Sequence, residues 1–205
     1  MPNKGPRRNY QLELDRIIKD LDPGDPGSVL LHCCCGPCAS YCLKYLTEWF
    51  PVTVLFYNPN IYPEAEYLHR KSELMRLIGE STFSHPVSWM DCDYDHSGFL
   101  NACSALAGEP EGGRRCLECF SLRLGFTAKT AAEHGFRWFC STLTVSPHKD
   151  AEAVNSTGEK MAEKYGSKWL PSDFKKRDGY LLSIKYSKEH NLYRQNYCGC
   201  EFSLR

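Results

Sequence analysis

Short unbroken apolar runs alternate along this chain with longer stretches in which apolar residues recur at helical spacing. The run Ser28, Val29, Leu30 and Leu31 predicts a first strand, and Ala39, Cys42, Leu43, Tyr45 and Leu46 predict a helix over 39–49 that Pro51 closes. Strands follow at 52–57, 86–90, 138–145 and, briefly, 168–170. Helices fall at 64–79, from 99 to 106, at 120–134, 151–165 and 181–190. The inner face of the 64–79 helix is Tyr67, Leu68, Leu74, Met75, Leu77 and Ile78. Polar loops separate these elements at 58–63, 108–119 and 173–179. Strands alternating with helices at short spacing predict an α/β fold: a doubly wound parallel sheet with helices on both faces. In such a sheet the working crevice lies beyond the carboxyl ends of the strands.

Before the first strand, Leu12, Leu14, Ile17, Ile18 and Leu21 predict a helix over 10–21, which Asp22-Pro23-Gly24-Asp25-Pro26-Gly27 breaks. Residues 1–27 therefore read as an N-terminal extension of a single domain over 28–205. Lys+Arg and Asp+Glu number 25 each, so a globally basic nucleic-acid binder is not indicated and any such surface must be local. Twelve cysteines would suit a secreted disulfide scaffold. The start of the chain, with Lys4, Arg7 and Arg8, lacks the apolar segment of a signal peptide, and no run is long enough to span a membrane. The expectation is a soluble, cytoplasmic protein that uses cysteine for metal or redox chemistry.

The cysteines are not scattered. Cys33, Cys34, Cys35 and Cys38 sit where the first strand gives way to a helix, a place where backbone N–H groups and the helix dipole favour thiolates. Cys92, the pair Cys116-x-x-Cys119 and the pair Cys198-x-Cys200 follow, each at a predicted loop or element end. Soft thiolates select zinc, copper(I) or iron–sulfur clusters. With only His32 adjacent, an all-cysteine site is favoured over a mixed one. A structural zinc clamp usually joins neighbouring knuckles, whereas an iron–sulfur cluster accepts remote ones. Cys35-Gly36-Pro37-Cys38 matches the thioredoxin active-site tetrad, and a dithiol oxidoreductase using Cys35 and Cys38 is the alternative reading. Cys198 and Cys200, around a permissive Gly199, can close a small strained ring. Strain makes such a bond labile, so the pair reads as a redox-active disulfide, with cluster ligation as the alternative. Cys33, Cys42, Cys103 and Cys140 read as core or surface thiols, and Cys92 has no assigned part.

Five ordered motifs carry a family resemblance. They are His32-x-Cys34-Cys35-x-Pro37-Cys38, Tyr57-Asn58-Pro59-Asn60-Ile61, Pro110-Glu111-Gly112-Gly113-x-Arg115-Cys116-x-x-Cys119, Thr142 through Lys149, and Leu192 through Cys200. Together they resemble the QueH-type epoxyqueuosine reductases from about residue 30 to residue 203, with Cys33 as an extra thiol. The resemblance implies a cobalamin-independent enzyme with a Rossmann-like, adenine-nucleotide hydrolase-like fold. Its reaction would be deoxygenation of epoxyqueuosine in a tRNA anticodon loop, the last step of queuosine synthesis. It implies that Cys34, Cys35, Cys116 and Cys119 hold a [4Fe–4S] cluster, that Cys38 helps hold an additional iron ion, and that Cys198 and Cys200 form the redox-active disulfide. An electron donor of ferredoxin or flavodoxin type is also implied; no membrane is.

Removing an epoxide oxygen as water consumes two electrons and two protons. His148, Asp173, Tyr193 and Tyr197 are the candidate proton donors. Arg114, Arg115, Lys149, Lys175, Lys176, Arg177, Lys185 and Arg194 are candidates for phosphate contacts, and Tyr57, Tyr62 and Tyr197 for stacking an unpaired base.

Overall fold

The first apolar run becomes β1 (Val29–His32), whose four residues are all buried. Burial of every position, rather than alternate ones, marks a strand covered on both faces. In the computed structural model, which describes residues 8–203, β2 (Val52–Leu55) and β4 (Trp138–Ser141) pair with β1 on either side. The edge strand β3 (Val87–Met90) pairs with β2, all pairings are parallel, and the order is β3-β2-β1-β4. Crossovers run one way from β1 through β2 to β3, and β4 returns to the other side of β1. The reversal of strand order therefore falls between β1 and β4, and the chain leaving their carboxyl ends must diverge and open a crevice.

Among the described residues seven helices cover the sheet: α1 (Tyr10–Lys19), α2 (Gly36–Leu46), α3 (Glu64–Glu80), α4 (His96–Cys103), α5 (Arg114–Glu133), α6 (Ala151–Tyr165) and α7 (Gly179–Glu189). α2 packs against α3 and α7, while α5 packs against α6, α4, β1 and β4. One core cluster joins Leu30, Leu31, Val54 and Phe139 of the sheet to Leu43, Leu74, Leu124 and Val154 of the helices, and Leu14 of α1 belongs to it too. A small satellite cluster gathers Phe99, Cys103, Cys119 and Cys200. Residues 1–7, including Lys4 and Arg7, and residues 204–205 lie outside the described part. No described helix is long and apolar enough to cross a membrane.

Three elements depart from the pattern reading. The fourth strand stops at Ser141 instead of 145. The Ser141 hydroxyl accepts from the Leu143 N–H at 3.2 Å, and Thr142–Val145 tightens into a single 3₁₀ turn. A side-chain bond to the local backbone overrides the strand preference of a Thr-Leu-Thr-Val run. The helix read at 120–134 begins six residues earlier, at Arg114, after the extended residue Gly113. Residues 168–170 form no strand; Trp169 makes one parallel bridge to Phe139. Smaller shifts move the starts of α2, α4 and α7 to Gly36, His96 and Gly179. Pro37, whose fixed φ suits a first helical turn, opens α2.

Candidate functional site

A cavity of about 740 Å³ opens at the carboxyl edge of the sheet. Its walls come from the turn after β1 (Cys34, Cys38), the loop after β2 (Asn58, Asn60), the turn after β4 (Leu143 to Lys149) and the C-terminal tail (Arg194 to Cys198). The strand reversal and the cavity coincide.

The turn after β1 brings three thiols together. The sulfur atoms of Cys34, Cys35 and Cys38 all lie within 4.8 Å of one another, with Cys34 and Cys35 3.8 Å apart. The Cys34 backbone N–H donates to Thr142 Oγ1 at 3.1 Å, Thr142 Oγ1 lies 3.4 Å from the Cys34 sulfur, and Gln195 Nε2 donates to Cys35 Sγ at 3.1 Å. Hydrogen bonds from Cys35 and Cys38 hold the Cys34 thiol well below its ordinary range, with help from the charge of Arg123 and from Thr142 against the effect of burial. Cys35, which gives its proton toward Cys34, is pushed up to about 12, and Cys38 is raised for the same reason. A soft cation would let all three ionise.

α5 supplies the second group. Because the helix starts at Arg114, Cys116 and Cys119 stand one turn apart on one face rather than in a loop. The Gly112 N–H points at Cys116 Sγ, 3.2 Å away. Cys116, Cys119, Cys198 and Cys200 line a narrow crevice of about 20 Å³ that shares Glu111, Arg123, Lys149 and Cys198 with the main cavity. Burial pushes Cys119 up to about 12 and raises Cys200. All twelve cysteines are free, so Cys198 and Cys200 stand as two thiols. Lys149 Nζ, between Glu111 Oε1 at 2.9 Å and Cys198 Sγ at 3.3 Å, places a cation on the Cys198 sulfur. Gly199 carries φ +105°, and its carbonyl accepts from the Tyr62 N–H at 2.8 Å. A Cβ there would meet Arg70 Nη1 and Ile61 Cγ1 at 3.0 Å, so the Cys-Gly-Cys turn needs its glycine.

Arg123 joins the two groups and was not singled out in the sequence. It is 2% exposed, one turn beyond Cys119 on α5. Its Nη1 donates toward Cys119 Sγ at 4.0 Å, its Nε to His32 Nε2 at 3.3 Å and its Nη2 to Asn58 Oδ1. His32, at the end of β1 and wholly buried, stays neutral: burial first, then the charge of Arg123, lower its pKa to about 3. Its Nδ1 lies 2.8 Å from Ser141 Oγ, and its Nε2 lies 3.1 Å from the Tyr57 carbonyl oxygen as well as 3.3 Å from Arg123 Nε. Asn60 and Arg70 were likewise missed as site residues. Both line the cavity at 1% and 2% exposure, and Asn60 Oδ1 and Arg70 Nη2 are buried without a hydrogen-bond partner.

Of the remaining expected residues, exposed His148 and half-buried Tyr197 line the cavity, the Tyr197 hydroxyl donating to Tyr62 O at 2.7 Å. Tyr193 and Asp173 are not among its lining residues; the Tyr193 hydroxyl donates to Glu66 at 3.1 Å, and Asp173 pairs with Lys175 at 2.7 Å. Of the expected phosphate contacts, Lys149 and Arg194 line the cavity. Arg177 pairs with Asp15, and Lys185 with Glu189 at 3.8 Å. Arg115 is corrected outright: it is 3% exposed and donates to the carbonyls of Ala107 and Glu109, so it holds a loop and meets no phosphate. Tyr57 is also no stacking platform for a base, being buried with its ring against Phe126 at 3.9 Å. Cys33, Cys42, Cys103 and Cys140 are fully buried core thiols. Cys92 is half-buried, and burial pushes it up to about 11.

Comparison with known proteins bears on the same stretch of chain. The family described as Epoxyqueuosine reductase QueH matches residues 29–205. The chain is 38% identical over 205 residues to the epoxyqueuosine reductase QueH of Staphylococcus epidermidis, covering 98% of this chain and 86% of that protein. It is 41% identical to that of Streptococcus pyogenes serotype M1 (96% and 80% covered) and 36% identical to that of Thermotoga maritima (87% and 91%). The matched residues include the thiol-bearing turn after β1, the start of α5 and the C-terminal tail. The chain belongs to the epoxyqueuosine reductase QueH family.

Proposed function

We propose that this protein reduces epoxyqueuosine in tRNA to queuosine, using a thiolate-bound [4Fe–4S] cluster and the Cys198/Cys200 pair as its redox elements. The observation that carries the reading is one cavity bounded by the Cys34/Cys38 turn and by Cys198, with Cys116, Cys119 and Cys200 in the crevice alongside. The donor set fits a soft-metal centre: thiols from three separate segments with a buried guanidinium among them, while His32, the histidine beside the thiol turn, is already bonded at both ring nitrogens. Cys34, Cys35, Cys116 and Cys119 would hold the cluster, and Cys38, within 4.8 Å of the first two sulfur atoms, would help hold an additional iron. When bound, the cluster supplies electrons one at a time.

The chain's own residues do the rest. The epoxide takes up two electrons and two protons and leaves an alkene and water. The Cys198 and Cys200 thiols would give two electrons together, closing to a disulfide that an external ferredoxin- or flavodoxin-type donor must reopen. Lys149 keeps a positive charge beside Cys198. His148, exposed at the cavity wall, is the residue best placed to deliver a proton to departing oxygen. Arg194 and Lys149 would meet the phosphates of the anticodon loop, and Tyr197 a splayed base. The dithiol alternative fits less well, because Cys35 is 1% exposed and cannot reach a protein disulfide.

Anaerobic purification with iron and sulfide analysis, then turnover of tRNA bearing epoxyqueuosine followed by mass spectrometry of the nucleosides, tests the proposal. Iron and sulfide with conversion to queuosine are expected, Cys116→Ala should lose the visible chromophore, and His148→Ala should slow turnover by about 10²-fold. Stoichiometric zinc with neither iron nor sulfide would overturn it.

A further inference from the structure

The hydrogen bonds that fix the Arg123 guanidinium end on an imidazole nitrogen of His32 at 3.3 Å, the amide oxygen of Asn58 and the sulfur of Cys119 at 4.0 Å, none of them a carboxylate. A guanidinium does not lose its proton in a protein, so its charge has to be balanced in place. The anchors are themselves locked. His32 is bonded to Ser141 at the end of β4, and Asn58 Nδ2 donates to Cys33 O at 2.8 Å. Residues at the carboxyl ends of β1, β2 and β4 thus aim one cation at the place where the two thiol groups meet, since Arg123 borders both the cavity and the crevice. We propose that Arg123 is the counter-charge of the thiolate site: it sets how much negative charge the site can hold, and through that both its affinity for metal and the reduction potential of a cluster bound there. For the potential, this rests on the cluster reading above.

The direction follows from electrostatics. Reduction adds an electron, a fixed cation beside the sulfur atoms stabilises the more negative state, and hydrogen bonds to those atoms act in the same sense. Removing the charge makes reduction harder. Arg123→Gln removes charge and keeps a planar hydrogen-bonding end. Asn58→Asp leaves Arg123 in place and neutralises it with a carboxylate on Nη2. Arg123→Lys restores a cation without the fork.

Potentials are read by poised electron paramagnetic resonance on the loaded protein. For both Arg123→Gln and Asn58→Asp the equilibrium constant for one-electron reduction should fall about tenfold, a shift of about 59 mV to lower potential, with Arg123→Lys recovering half or more. If Arg123→Gln does not fold, Asn58→Asp decides alone. A potential unchanged in every variant that folds overturns the proposal. Binding of Co²⁺ to the metal-free proteins, followed through the thiolate charge-transfer band, is read independently of the cluster. About tenfold weaker binding in Arg123→Gln or Asn58→Asp is expected, and equal binding overturns the proposal. Wild-type protein that carries no iron or sulfide while the Co²⁺ difference persists would refute the cluster reading and leave Arg123's part intact.

Discussion

Asn155→Ala should remove a large part of the stability of this protein although it deletes only three heavy atoms. Asn155 is wholly buried on α6 and uses its full hydrogen-bonding capacity. Its Oδ1 accepts from Trp169 Nε1 at 2.9 Å and from the Ser172 N–H at 3.0 Å, while its Nδ2 donates to Ala151 O and Ser172 O, both at 2.8 Å. Ala151 O is a helix carbonyl with its own backbone partner to fall back on. The indole N–H and both Ser172 backbone groups are stranded, and each buried group left unpaired costs about 1–3 kcal/mol. Relaxation is blocked on one side, because a Cβ at Gly158, nearly one turn along α6, would already lie 2.3 Å from the Trp169 ring. The sum is about 3–5 kcal/mol after partial rescue by entering water, against about 5–15 kcal/mol for a whole domain.

Urea unfolding followed by far-ultraviolet circular dichroism measures it. With a slope near 2–3 kcal/mol per molar, the midpoint should drop by about 1.5 M. Asn155→Asp separates hydrogen bonding from packing. Its shape is the same, but it has no donors for Ala151 O and Ser172 O, so it should lose at least about 2 kcal/mol as well. A silent Asp variant, or an Ala variant within about 1 kcal/mol of wild type, would refute the reasoning. The consequence reaches the cavity, because Thr144 Oγ1, 3.5 Å from Ser172 Oγ, accepts from Phe174 N between the wall residues Leu143 and Val145.

Arg115→Met should cost about 2–3 kcal/mol by freeing the Ala107 and Glu109 carbonyls, and limited proteolysis should then cut at 107–113; an unchanged salt dependence of tRNA binding separates this loop-holding part from phosphate contact. Glu73 accepts from Arg76 at 3.0 Å and from the Tyr193 N–H at 2.9 Å, and these bonds, Arg76 foremost, hold its carboxyl below the ordinary 4.5. A folded value below the unfolded one means stability that is present above pH 4.5 and lost as pH falls through the folded value. The gap in urea midpoint between wild type and Glu73→Gln should therefore be constant near neutrality and close in acid; a gap independent of pH would count against it.

What the chain discloses in one dimension follows from what burial demands of it. β1 and β2 are legible because a strand covered on both faces has to be apolar at nearly every position, and Val29–His32 and Val52–Leu55 are. The carboxyl-edge location of the thiols follows from the alternation of elements, as do the fates of Cys33, Cys42, Cys103 and Cys140. The start of α5 is not legible. Arg114-Arg115-Cys116 shows no apolar stripe, and what buries it is the wrapping of Arg115 around carbonyls of the preceding loop. The end of β4 is hidden for a related reason, since one serine hydroxyl outvotes the branched residues that follow it. These two misses conceal the residue that organises the site. With the helix begun at 120, Arg123 is an ordinary cation in a first turn. With it begun at 114, Arg123 stands one turn past Cys119, on the face Cys116 and Cys119 share, directed at the reversal of strand order where His32 and Asn58 end β1 and follow β2. Motif spacing picks out the candidate sulfur donors because they cluster along the chain. The cation that balances them can be found only once helix phase and sheet order are known together.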